Sequence, residues 1–327
     1  MEQRVLGRTG RPVSVIGLGT WQLGADWGNV SDDEAMAVLQ TAVESGVTFL
    51  DTADVYGDGR SERIIGRFLA GNAGQGLTVA TKMGRRVEQL PEHYTLDNFR
   101  AWTDRSRVNL GVDTLDLVQL HCPPTAVFSS DAVFDALDTL VSEERIAAYG
   151  VSVETCEQAL TAIARPGTAT VQIILNAFRR KPLDEVLPAA AAAGVGIIAR
   201  VPLASGLLSG RYTRDSAFPA NDHRSYNRHG EAFDVGETFS GVDFETGVEA
   251  AQEFAGLALP GGTPAQTALR WVIQQAGVTT VIPGARNPEQ ARQNSAAADL
   301  PPLNQQALDA IENLYDKYFR AQIHSRW

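Results

Sequence analysis

The sequence predicts a (β/α)8 barrel. Three observations carry that expectation. Short apolar runs alternate with amphipathic helical stretches, and eight such units can be counted, starting near residues 16, 48, 77, 115, 146, 170, 195 and 278. Three successive runs finish on ionisable residues: Asp51 after Thr48–Leu50, Lys82 after Leu77–Thr81, and His121 after Leu115–Leu120. The C-terminal ends of strands are where α/β barrels hold their chemistry. A doubly wound sheet would instead show G-x-G-x-x-G after its first strand, and Gly17–Leu18–Gly19–Thr20–Trp21–Gln22 lacks the third glycine.

Taken in order, Arg4–Leu6, the turn Gly7–Gly10 and Pro12–Ser14 read as an N-terminal hairpin, and Ile16–Gly19 as the first barrel strand. Ser31 with Glu34 is a capping box opening a helix to Glu44. Strand 48–51 precedes a helix over 61–69, with Ile64, Ile65 and Phe68 on one face. Strand 77–81 leads to helix 96–110, stopped by Gly111. Strand 115–120 precedes helix 131–142, strand 146–151 precedes helix 155–164, and strand 170–175 precedes an alanine-rich helix over 183–193 ended by Gly194. Strand 195–199 follows. Residues 203–243 then lose periodicity, which marks a lid, a binding loop or disorder. Helix 246–257, helix 264–275 with Thr263 as cap and Pro264 at its first position, strand 278–282, helix 287–297 and helix 304–319 complete the chain. No proline- or serine-rich linker divides it, so residues 1–327 are expected to form one domain.

Composition narrows the function classes. The 327 residues carry a net charge of −11, which argues against nucleic acid or an anionic membrane as the general partner. The apolar run around 187–198 is interrupted by Pro188, Gly194 and Gly196 and falls short of a membrane span. Cys122 and Cys156 give neither a disulfide framework nor zinc-ligand spacing, no metal is expected, and no secretory h-region follows Met1; the cytoplasm is the expected compartment. His93, His223 and His229 show no ligand spacing and read as surface residues. Cys122 beside His121 reads as a packing residue before a nucleophile. Tyr318 and Trp327 belong either to a tail reaching the pocket or to a frayed terminus.

The residues at the strand ends suggest proton transfer. Only Lys82, Lys181 and Lys317 are lysine among 28 basic residues, so a lysine at a strand end points to a site that wants a compact, tunable ammonium. A phenol titrates near 10, and an ammonium beside Tyr56 would favour the phenolate and lower that value. Asp51 would keep Lys82 charged. His121 would hydrogen-bond a carbonyl oxygen and help move the proton. Such a set suits carbonyl reduction, with hydride from a cofactor.

These four residues match, in order, the Asp-Tyr-Lys-His tetrad of the aldo-keto reductase superfamily, and the resemblance runs through nearly the whole chain. It includes Gly17–Trp21, Asp51–Gly57, Thr81–Lys82, Leu120–His121, Gly150–Ser152, Gln172, Pro202–Leu203 and Ile282–Arg286. In its wording at 200–211 and 282–294 the chain resembles bacterial general-stress and inositol-type members. The resemblance implies a barrel that binds NADP(H) across its mouth, NAD(H) being possible, and acts on a small carbonyl compound. It implies that Ser152 and Gln172 hold the nicotinamide carboxamide, and that Leu203, Ser205, Gly206, Leu208 and Gly210, flanked by Pro202 and Arg211, run along the pyrophosphate. Arg286, Gln290 and Asn294 would meet the adenosine phosphate, with Gly19, Thr20 and Trp21 near the cofactor and Trp21, Tyr56 and His121 lining the substrate pocket. Three departures stand out: Val153 where asparagine is frequent, Arg200 where an aromatic often lies against the nicotinamide, and Gly284 where a lysine often meets the 2′-phosphate. Two other functions fit the same barrel: a Schiff-base aldolase using Lys82, and a non-catalytic NADP(H) sensor.

Overall fold

The computed structural model describes residues 1–24, 30–72 and 76–327. The hairpin consists of β1 (Gln3–Val5) and β2 (Pro12–Ser14), paired antiparallel. Eight parallel strands follow in sequential order: β3 (Leu18–Gly19), β4 (Phe49–Asp51), β5 (Thr78–Met83), β6 (Leu117–His121), β7 (Tyr149–Ser152), β8 (Thr168–Ile174), β9 (Gly196–Arg200) and β10 (Val278–Val281). Parallel bridges Ile16–Val281 and Gly19–Gly284 bring the last strand back to the first. The sheet thus curls into a (β/α)8 barrel, with helices between the strands covering its outer face.

The expected helices sit where their end signals place them. Asp32–Glu44 starts at the Ser31–Glu34 capping box, and Leu96–Leu110 ends at Gly111 in the left-handed conformation. Pro264–Gln274 starts at Thr263. The hairpin plugs the N-terminal end of the barrel: Leu6 and Val13, both fully buried, pack with Phe49, Ala80, Leu117, Ile198 and Ile282 inside it. Gly7 makes this possible. Its φ is +48°, and a Cβ there would fall 2.2 Å from the Gly196 nitrogen.

Two alternatives left open by the sequence are decided in the structure. Residues 203–243 are a built segment, with 3-10 turns at Ala204–Ser209, Val235–Glu237 and Phe239–Gly241 and a short helix at His223–Tyr226. Side chains that cap, pair and fill do the work that periodicity does elsewhere. Asn227 accepts from the amides of Ala232 and Phe233, and its amide donates to Thr238. The C-terminal tail does not fray. Trp327 is buried beneath 234–241, its Nε1 3.1 Å from Asp234 and its ring 4.0 Å below the Arg179 guanidinium. Among the described residues, no helix is long and apolar enough to cross a membrane.

Candidate active site

At the C-terminal mouth, alternation along the strands turns Asp51, Lys82, Gln119, His121, Ser152, Gln172 and Arg200 inward. Lys82 is buried, and each of its three protons finds an acceptor: Asp51 Oδ2 at 2.5 Å, the Thr52 carbonyl at 3.0 Å and the Tyr56 hydroxyl at 3.3 Å. The other Asp51 oxygen accepts from Gln172 at 2.8 Å and from Gln119 at 3.3 Å. Tyr56 comes from the turn after β4. Its ring stacks on Trp21, centroids 6.0 Å apart, and meets His121 edge-on at 5.9 Å.

Burial decides the protonation of these groups. It works against the Lys82 charge, yet Asp51 and Tyr56 more than offset it, so the lysine titrates above its ordinary value. Burial raises the Tyr56 phenol, and Asp51 and Glu237 add to that; Lys82 pulls the other way without prevailing. The phenol is therefore held above 10, where the sequence argument from the neighbouring ammonium alone led to a lowered value. His121 lies well below its usual range, through burial first and then Arg85, Lys82 and Arg200, and is neutral at pH 7. The Cys122 thiol is pushed up to about 12 by burial, as befits a packing residue.

A cavity of about 490 Å³ runs from Tyr56 and His121 past Ser152, Gln172 and Arg200, then along 201–211 to Arg286 and Asn294. Gly19, Thr20, Trp21, Asp51, Pro202, Leu203, Ser205, Gly206, Arg211, Gly284 and Gln290 also line it. Lys82, Leu208 and Gly210 do not: Lys82 sits behind Asp51 and Tyr56, Leu208 packs into the core, and Gly210 ends the turn in a left-handed conformation. Between Arg200 and Gly206 the backbone is forced, with Val201, Ala204 and Ser205 all at φ near +50°. The strain is held by Ser205, whose hydroxyl donates to the Glu237 carbonyl and accepts from the Phe239 amide.

At the far end, Asn287 caps helix Pro288–Ala296. Gln290 accepts from the Arg286 amide and Asn294 donates to the Gly284 carbonyl, so both side chains shape the loop that presents Arg286. Arg292 pairs with Glu289 outside the cavity. A Cβ on Gly284 would land 2.1 Å from the amide nitrogen of Gln22, whose flexible side chain would have to turn aside for the lysine that the resemblance leads one to expect.

The aldo/keto reductase family model matches residues 15–316. The chain belongs to the aldo/keto reductase family. It is 29% identical to the aldo-keto reductase YhdN of Bacillus subtilis, over 89% of this chain and 86% of that protein. The structure of the glycerol dehydrogenase from Gluconobacter oxydans superposes with a TM-score of 0.79 at 31% identity, covering 97% of this chain and 95% of that one. The structure of an aldo-keto reductase from Klebsiella pneumoniae in complex with NADPH gives 0.72 at 26% identity, with 96% of both chains covered. Oxidoreductase chemistry follows from membership.

Within this reductase fold, the sequence reading missed several lining or bracing groups. His223, expected at the surface, is fully buried and lines the cavity, 5.0 Å from Trp21 between ring centroids. It is carried inward by the short helix at His223–Tyr226, and burial lowers its pKa to about 4. His93 is half-buried and His229 exposed. Gln119 could have been found, because it lies two residues before His121 on the same strand and hence on the same face. Glu154 follows β7 and Glu237 lies in the aperiodic segment; only the folded chain brings both to Arg200.

Proposed function

We propose that the protein reduces aldehydes and ketones to alcohols, and runs the reverse reaction, with NADP(H) as the hydride carrier. The observation that carries the reading is Lys82, whose one ammonium engages Asp51 and the Tyr56 hydroxyl together. Bound in the cavity, the nicotinamide would supply the hydride, and the chain would supply orientation and the proton. Tyr56 donates its proton to the carbonyl oxygen. Lys82 steadies the phenolate left behind, and Asp51 keeps that lysine charged and in place. His121, neutral, donates a hydrogen bond that orients the oxygen instead of giving up a proton of its own.

The cavity suits the cofactor by the chemistry of its donors. Ser152 and Gln172 offer polar atoms beside the tetrad. The strained turn at 203–206 lets backbone approach the pyrophosphate, and Arg211 lies along the same wall. Arg286 at the N-terminus of helix Pro288–Ala296 joins a cation to backbone N–H groups, a natural seat for a phosphate. The Klebsiella relative's NADPH supports this choice over NAD(H), and the Gluconobacter dehydrogenase makes glycerol a sensible first alcohol to try. The Schiff-base alternative needs a neutral lysine, whereas Lys82 is held charged by Asp51.

The test is spectrophotometric: NADPH consumption by the wild type against a panel of aldehydes and ketones, and NADP+ reduction with glycerol. Carbonyl-dependent loss of NADPH absorbance is expected. A protein that binds NADPH but turns over no carbonyl would favour a sensor.

A further inference from the structure

The guanidinium of Arg200 stands at the reacting end of the cavity, among Tyr56, His121, Ser152 and Gln172. It is buried, and close enough that its charge is felt by both His121 and Tyr56. Two carboxylates hold it. Glu154 Oε2 lies 2.9 Å from Arg200 Nη2, and Glu237 Oε1 lies 3.6 Å from Nη1. Both carboxylates also reach Arg85, at 3.4 and 3.2 Å. Burial, and then Glu237, push the Glu154 carboxyl up to about 7, while Arg200 and Arg85 hold Glu237 low; above that pH all four groups are ionised and two positive charges balance two negative ones. Only Arg200 and Glu237 of the four line the cavity, so a molecule at the tetrad meets a cation whose neighbour is its counter-charge.

We propose that Glu237, with Glu154, neutralises Arg200 at the reacting end and thereby sets the preference between the oxidised and reduced forms of the cofactor. This rests on the reading of the cavity as a nicotinamide site. A hydride donor must bring its reacting carbon within about 3–3.5 Å of the carbonyl carbon beside Tyr56, which confines the ring to the stretch that Arg200 walls. The oxidised ring carries a unit positive charge and the reduced ring none. A bare guanidinium there would repel the oxidised form and leave the reduced form unaffected, whereas a compensated one would treat the two alike. The phosphates are the same in both forms, so the ratio of their dissociation constants cancels the contributions of Arg211 and Arg286 and isolates the ring.

Charge bookkeeping gives opposite signs for two single substitutions. Glu237→Gln leaves the cluster net positive, and NADP+ should weaken about tenfold relative to NADPH, ~1.4 kcal/mol. Arg200→Met leaves it net negative, and NADP+ should tighten relative to NADPH. The double variant restores neutrality and should return the ratio to that of the wild type, a cycle that a merely structural loss would not close. The experiment is fluorescence titration of all four proteins with NADP+ and with NADPH at about pH 8.5, where Glu154 is ionised. If Glu237→Gln does not fold, the sign of the Arg200→Met shift decides alone. Shifts of the same sign, or an unmoved ratio in a wild type that binds both forms, overturn the inference. A wild type that binds neither form overturns the cofactor reading and this inference with it.

Discussion

Asp54 illustrates what single residues do around the tetrad. It is buried two positions before Tyr56, and neither carboxylate oxygen has a hydrogen-bond partner among the described residues. Burial, helped by Glu62 and opposed by Arg86 and Arg105, pushes its carboxyl up to about 7. An unfolded aspartate titrates near 3.9. Between about pH 4 and pH 7 the folded chain therefore keeps a proton that the unfolded chain releases, and stability falls as pH rises through that window. Asp54→Asn should have little effect at pH 4 and stabilise the protein by about 2–4 kcal/mol at pH 8, read from urea unfolding at both pH values. No gain at pH 8 would mean that Arg86 or Arg105 turns from Asp58 to pair with Asp54. Tyr56 makes a second residue-scale prediction. Because its phenol is raised above 10, carbonyl reduction should not lose its acid between pH 6 and 9, and should decline only at more alkaline pH. A fall centred near neutrality in the pH–rate profile would assign the proton to another group.

At the scale of elements, two segments shape the cavity proposed to hold the cofactor. Helix Pro288–Ala296 presents Arg286 at its N-terminus, while Arg292 is drawn away by Glu289. A charge-assisted hydrogen bond contributes about 1.5–3 kcal/mol, so Arg286→Ala should weaken NADP(H) roughly 10- to 100-fold and barely touch NAD(H). Equal loss for both cofactors in a fluorescence titration would show that Arg286 shapes the loop instead. The segment 234–241 is locked from behind by Trp327, which fills the space beside Gly236 and Gly241. Trp327→Ala should cost about 3–5 kcal/mol and open 213–241 to limited proteolysis; unchanged cleavage would place the lock elsewhere. The helices were legible in the sequence because their caps and apolar faces are local signals, as at Ser31, Thr263 and Gly111. The segment 203–243 was not, because His223 meets Trp21 and Glu237 meets Arg85 and Arg200, all distant in sequence, and the local bonds of Asn227 follow no periodicity.

For the molecule as a whole, the eight-unit rhythm was readable since each strand is a short apolar run buried on both faces. Closure followed from the count of eight units, but the pairings that achieve it, Ile16 with Val281 and Gly19 with Gly284 across the length of the chain, were not readable. Of the site, the three strand-end residues and Tyr56 were readable from position and chemistry. Their protonation was not, because burial, which outweighs the Lys82 charge at Tyr56, exists only after folding. The hairpin plug ties the two ends of this picture together, and Gly7 is its tightest point. Gly7→Ala should destabilise by roughly 1–3 kcal/mol, seen as a lower urea midpoint with the same slope.

Tyr56 is proposed as the proton donor of a carbonyl reductase whose cofactor site is independent of it. Tyr56→Phe measured for both properties tests this most directly. Carbonyl reduction should drop by about 10²–10⁴-fold, while the NADPH dissociation constant stays within about twofold of the wild type, ~0.4 kcal/mol. Reduction at near wild-type rates by a Tyr56→Phe protein that still binds NADPH would contradict it.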